Sequence, residues 1–401
     1  MKTQYGWHRP HLFIGISMLM LLVLLLSACG GNSAGTGSGS PTVTSTPTSS
    51  ANHDTPTPTA KDPCKDPSYW NNIVGLHNGQ KVESVSCGKV LGNGDLQAVV
   101  DVRNPGDDQL LDVHFYRNIT SAHPQELFTL SSLVHGDARV SLVNTVITAE
   151  VDKNSSINKG KPEGQLTQDL FREFKWSAAA GTLVRIAFPG FYPDLTRYQA
   201  EADQAGITNA DQSWKLDAIA TVKHFMVALL KFPANSTVKL ISGGGEHDLQ
   251  AVVNVTYPTV QGCCNFSPEK VRLDRLEGNA QDGIWIVTAV TNDSLSISFP
   301  HTGKGILSPA QVTGSGSSFE GQVGTVYILD HLYNTVGSAR AIISNPNSFN
   351  GPFSASVPYT TTFFNGVEDG IVLVNNKGGT GVAAISKVVM VKVLLTPNRA
   401  P

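Results

Sequence analysis

Eight residues occur almost unchanged twice in this chain: Asp95-Leu96-Gln97-Ala98-Val99-Val100-Asp101-Val102, and Asp248-Leu249-Gln250-Ala251-Val252-Val253-Asn254-Val255. In each copy Leu, Ala, Val and Val alternate with the residues between them, the period-two pattern of a strand with one face toward a core. A Gly-rich turn precedes each copy, "LGNGD" in the first and "SGGGEHD" in the second. Each therefore reads as the second strand of a hairpin. Pro105 and Pro258, and also Val85 and Val238, fall at the same offset. A chain built on such a unit is mainly β, and the match reads as a duplication.

The segments around the copies extend that reading. "LLDVHFYRN", "ELFTLSSL", "ARVSLVNTVITAEVD" and "GTLVRIAFPG" are strand-like and separated by turn signals. Before the second copy the pattern turns helical. "PDLTRYQAEADQA" is a short helix with Pro193 suited to its first turn. A longer helix is expected from about Asp211 to Phe232, with Ile219, Val222, Phe225, Met226, Leu229 and Leu230 on one stripe and Pro233 as its stop. That stripe should cover a sheet made by "TVKLISG", "LQAVVNVTY", "KVRLDRLEG" and "GIWIVTAVT". The expected organisation is a mainly-β domain over 62–190, and a helix-plus-antiparallel-sheet domain over 191–295 that partly repeats it. A β-sandwich over 296–401 completes it. The fold class is mainly β with an α+β middle region.

The N-terminal end has a different character. Lys2, His8 and Arg9 precede an apolar run from Leu12 to Leu26, the n-region and h-region of a secretory signal. The run is shorter than the roughly 20 residues a membrane span needs. Residues 30 to about 61 are rich in Gly, Ser, Thr, Pro and Asn, too polar to bury a core. They are expected to form a disordered, semi-extended stalk. Leu26-Ser27-Ala28-Cys29 resembles the bacterial lipobox. The resemblance implies that residues 1–28 are a signal peptide and that Cys29 carries a diacylglyceryl group. It further implies that the remainder is extracytoplasmic, tethered to the cell membrane by lipid.

Composition bounds the partners. A net charge of −3 offers no basic surface for nucleic acid. Hydrophobic residues at 40% and charged residues at 15% suit a globular, strand-rich exported protein. An exported chain can keep disulfides, and the remaining cysteines are Cys64, Cys87, Cys263 and Cys264. Cys64–Cys87 would staple the start of the first domain. Cys263-Cys264 are adjacent, a pair for a vicinal bridge that clips a loop; a redox-labile bridge is the alternative.

From about Ser296 short strands recur at regular spacing with Gly and Pro turns, the sign of a β-sandwich of about 100 residues. The order of residues resembles the immunoglobulin-like domain of bacterial spore germination proteins. The matching positions begin with Phe299-Pro300, Gly303, Ser308-Pro309, Val312 and Gly314. They continue through Phe319-Glu320, Val326 to Asp330, Gly351, Phe353 and Pro358. The likeness covers residues 297–395. It implies an envelope-bound domain that binds other proteins or envelope material in sporulation or germination.

No catalytic pattern stands out. Outside the Gly/Ser-rich stretch after Cys29, where Gly31-Asn32-Ser33-Ala34-Gly35 fits by composition, there is no G-x-S-x-G, and the chain has no H-E-x-x-H or P-loop. "TGSGSS" (Thr313–Ser318) lacks the Lys of a phosphate cradle, and Glu246-His247-Asp248 reads as a solvated turn. His224 falls on the polar side of the long helix, and Asp330-His331 closes a strand. One aromatic cluster, Phe171, Phe174 and Trp176 beside "FPGFYPDLTRY", reads as core. If it is exposed it offers Tyr192, Arg197 and Tyr198 as a surface for glycans or a partner. The expectation is therefore a lipid-anchored envelope protein with a non-catalytic binding or scaffolding role and no cofactor or metal. Its partners would be the membrane, through Cys29, and an envelope protein or cell-wall component. The alternatives are a small-molecule-binding or sensing lipoprotein and an envelope hydrolase.

Overall fold

The computed structural model describes residues 61–106, 108–207, 210–258, 267–278, 281–318, 320–377 and 385–398. Cys29, the expected stalk, Cys263-Cys264 and Phe319 lie outside the described residues. The described elements are mostly strands in antiparallel sheets, with two α-helices and short 3₁₀ turns.

Strands β1 (Lys81–Gly88), β2 (Gln97–Arg103), β3 (Leu111–Arg117) and β4 (Gln125–Leu133) form a meander in chain order. A second meander follows from β5 (Asp137–Val140), β6 (Val146–Glu150), β7 (Leu170–Ser177) and β8 (Thr182–Ile186). The two share a core containing Val99, Val113, Phe115, Val146, Phe174 and Leu183, as alternating faces of packed sheets do. On the other face of β2, Ala98 and Val100 pack with Trp70 and Tyr116. The first copy of the octapeptide is thus buried on both faces, and this puts Asp101 inside the protein. Cys64 and Cys87 are joined, tying the turn before β1 to the strand itself.

Helix α1 (Arg197–Gly206) starts at Thr196, whose side chain caps the Gln199 amide. Pro193 stands before the helix, after a cis bond from Tyr192, so the expected first-turn proline lies outside it. The expected long helix is broken. A 3₁₀ segment, Ala210–Leu216, comes first, and helix α2 (Ala218–Ala228) then starts afresh. Asp217 explains the break: its carboxylate accepts from the Ala220 amide, which makes it an N-cap rather than an interior residue. Val222, Phe225 and Met226 of α2 pack on β10 (Gln250–Thr256), β11 (Glu269–Asp274) and β12 (Ile286–Thr291), with β9 (Thr237–Gly243) at the edge.

Both octapeptides are second strands of chain-order meanders, but their hairpins differ in register. Val85 pairs with Val100, whereas Val238 pairs with Val255 and Leu240 with Val253. The offset match of Val85 with Val238 is therefore not a structural equivalence. Gly88 pairs with Gln97 but Gly243 with Ala251, so the shorter second connection slides the first strand along its partner. Gly243 needs its glycine: φ is +62°, and a Cβ there would lie 2.0 Å from the Gln250 carbonyl.

The C-terminal part is a β-sandwich. One leaf is β13 (Leu295–Phe299), β15 (Ala310–Ser317) and β18 (Asn350–Val357). The other is β17 (Thr335–Ile343), β16 (Gln322–Leu329), β19 (Glu368–Lys377) and β20 (Ile385–Leu395), with β14 (Lys304–Ile306) parallel to β20; the leaves stay joined where Ile342 and Ile343 pair with Ser354 and Phe353. Val312, Val326, Ile328, Phe353, Val372 and Val393 fill the space between the leaves. "TGSGSS" lies within β15 except for its last residue, Ser318. At Gly314 a Cβ would stand 2.0 Å from the Ser296 carbonyl, so only glycine lets β13 and β15 approach.

The sheet does not stop at residue 295. Val290 of β12 pairs with Met390 of β20, and Leu329, Ile371, Leu373, Val388 and Met390 complete the core under α2. Buried charges cross the same junction. Asp369 accepts from Arg185 and from the Phe188 amide, and lies 3.4 Å from the Nζ of Lys392. Lys392, fully buried, donates to the Gly190 and Leu195 carbonyls. His331 is buried between Glu368 and Asp169.

Candidate functional site

Where β1 and β2 meet the turn into β5 and the first turn of α1, polar side chains converge on a pocket of about 470 Å³. The floor is Asp101. Ser84 donates to its Oδ2 at 2.6 Å, and the Ala138 amide also faces the carboxyl. Burial pushes this carboxyl up to about 7, assisted by the charges of Asp137 and Glu83 and opposed by the Ser84 bond. The second octapeptide carries Asn254 at the same place, a neutral side chain of the same shape.

Arg103, two residues along β2, lies on the same side. Its guanidinium bonds Glu83 and the carbonyls of Gln109 and Gly136, at 2.5 and 2.8 Å for the two carbonyls. Tyr198 reaches in from α1 and donates to Asp137 at 2.7 Å. Its ring is held between Phe171, stacked at 5.0 Å, and the guanidinium of Arg139 at 5.0 Å. Burial and the bond to Asp137 raise its hydroxyl pKa. Gln168 fixes the backbone of His135, whose imidazole turns to Glu163 at 2.5 Å. That bond, with one from Lys153, holds the Glu163 carboxyl below its ordinary value.

The lining brings three carboxyl groups, Glu83, Asp101 and Asp137, against one guanidinium. Such a wall favours a ligand rich in hydroxyl or amine donors. Ser84 and Asp101 form a hydroxyl–carboxyl pair with no imidazole between them, since His135 is engaged with Glu163. Among the described residues no group of three His, Cys, Asp or Glu side chains is placed to hold a metal ion.

The three aromatic-cluster candidates come out differently. Arg197 is turned inward, paired with Glu173 and Glu277, and its side chain is only 11% exposed. Tyr192 packs on Phe225 and Trp214. As a surface these two are corrected: their polar and aromatic groups are spent on internal contacts. Tyr198 alone lines the pocket, and with its ring face covered it offers its hydroxyl edge. Phe171 and Phe174 are buried. His224 is exposed and stacks on Trp214 at 4.1 Å, and Glu246-His247-Asp248 is an exposed turn. The remaining members of the pocket were not singled out by sequence. Asp101 was the available signal, an acid inside an otherwise apolar strand repeat.

No family model matches this chain, and no curated protein matches it. Among solved structures it is similar to the C-terminally truncated trimeric ectodomain of the C. elegans fusion protein EFF-1. That likeness has 8% identity over 81% of this chain and 77% of that one, with a TM-score of 0.16, and carries no argument. No described helix is long and apolar enough to cross a membrane.

Proposed function

We propose that this chain is a lipid-tethered protein of the bacterial cell envelope whose role is non-catalytic binding, with cell-wall material as its partner. The observation that carries the reading is the polar pocket. Its carboxyl-rich lining, of a size typical of ligand sites, suits a hydroxylated ligand. The lipobox-like Leu26-Ser27-Ala28-Cys29 supports the tether. The sandwich over 297–395, in its likeness to germination proteins, supports a scaffolding part in sporulation or germination.

Two measurements test this. Full-length protein is incubated with purified peptidoglycan, beside a Glu83→Lys variant that places a cation on the pocket rim. Retention of the parent and at least tenfold loss in the variant is the expected result; equal retention removes the pocket from the proposal. Separately, Cys29→Ala should move the protein from the membrane fraction to the soluble one. A variant that stays with the membrane overturns the lipid tether.

A further inference from the structure

A second depression opens where β4, the β6–β8 face and the loop between β18 and β19 meet. It has two adjoining lobes of about 370 and 240 Å³, which share Ser132, Glu150, Arg172 and Asn365. The larger lobe is walled by Leu130, Leu133, Phe174 and Val367, and two guanidiniums, Arg172 and Arg185, enter it.

The two arginines are not equally committed. Arg172 is ion-paired with Glu150 and donates to the carbonyls of Val367 at 3.2 Å and Asn365 at 2.8 Å. Gly366, with φ at +72°, lets the loop close over it, since a Cβ there would stand 3.0 Å from its Nε. Arg185 gives Nη2 to Asp369 and Nη1 to two backbone carbonyls, while its Nε finds no acceptor. Asp369 also serves Lys392, so two cations share one carboxylate. Glu173, next to Arg172 along β7, faces the other side of the strand and is spent on Arg197. Arg172 is thus spent on Glu150, and Arg185, Arg197 and Lys392 stand against Asp369, Glu173 and Glu277, so the charges balance and what is left over is the Nε–H of Arg185. A buried guanidinium N–H without an acceptor is costly unless a ligand supplies one.

We propose that this groove binds an aliphatic monocarboxylate of medium chain length. The chain lies along the apolar wall of the larger lobe, and the carboxylate accepts from the unspent N–H of Arg185. A guanidinium N–H bonds a carboxylate oxygen more strongly than a hydroxyl oxygen and repels an ammonium, which selects this occupant over an alcohol or an amine of the same length. The proposal is independent of the polar pocket, with which the groove shares no lining residue, and does not use Glu83.

The test uses the full chain held in lipid nanodiscs, with empty nanodiscs as the blank, in equilibrium dialysis against radiolabelled octanoate, octan-1-ol and octylamine. Saturable octanoate binding near one per chain, with the alcohol and the amine at least tenfold weaker, is the expected result. Ser131→Trp, at an exposed position on the groove wall away from the ion pairs, should abolish it while leaving peptidoglycan retention unchanged. No octanoate binding above the blank, equal binding of octan-1-ol, or undiminished binding to the Ser131→Trp variant would each overturn the proposal.

Discussion

Asp101 shows how much one atom's surroundings can decide. Its carboxyl is raised to about 7, above the roughly 3.9 of an unfolded chain. Folding therefore favours its neutral form. The stabilisation this gives is complete below the unfolded value and is lost as pH rises through about 7. Asn254 occupies the matching place without a charge. Asp101→Asn should thus leave stability at pH 4 nearly unchanged and raise it at pH 8, by about 1–3 kcal/mol. Urea unfolding at the two values checks it, and equal stability of parent and variant at pH 8 would contradict it. The alternation of Ala98, Val100 and Val102 was legible as one buried face. The burial of the other face was not, because it depends on a second sheet that no local pattern of β2 announces.

At the scale of elements, hydrophobic period read well and polar caps read poorly. The stripe of Val222, Phe225, Met226 and Leu230 faces the core as its spacing requires. The same segment was too long by its first turns, because Asp217 is ambiguous until its carboxylate is seen to hold the Ala220 amide. Asp217→Ala should cost about 1 kcal/mol, read by chemical denaturation, with helical circular dichroism largely retained. An unchanged midpoint would mean that packing, not the cap, starts α2. The strands of the sandwich were legible from their Gly and Pro punctuation. Their continuation into β12 was not, since one pair, Val290 with Met390, joins segments a hundred residues apart. The polar pocket was hidden for the same reason: β1, β2, the turn into β5 and α1 each supply one or a few members.

The whole molecule carries an unusual number of buried acids, and their effects run in one direction. Burial raises Asp101 and Glu277 to about 7 and Glu269 to about 8. Asp194 is raised by burial and by the charge of Asp203. Each favours the folded state when protonated, so each costs stability as pH climbs. For His331, burial alone would lower the pKa, but Glu368 and Asp169 outweigh it and hold the imidazolium up to about 10. Its contribution is full below about 6.5 and is lost toward 10, the same sign. Lys392, lowered by burial to about 8, works the other way only above that value. The midpoint of thermal unfolding should therefore fall by about 5 °C or more between pH 5 and pH 8. A flat or rising profile would mean these groups are hydrated in solution. The bond between Cys64 and Cys87 has a mechanical meaning as well. A load entering from the N-terminal side passes through the sulfurs to the far end of β1. It leaves residues 65–86 as slack line, so Lys81 is never the first residue to be peeled from Arg103.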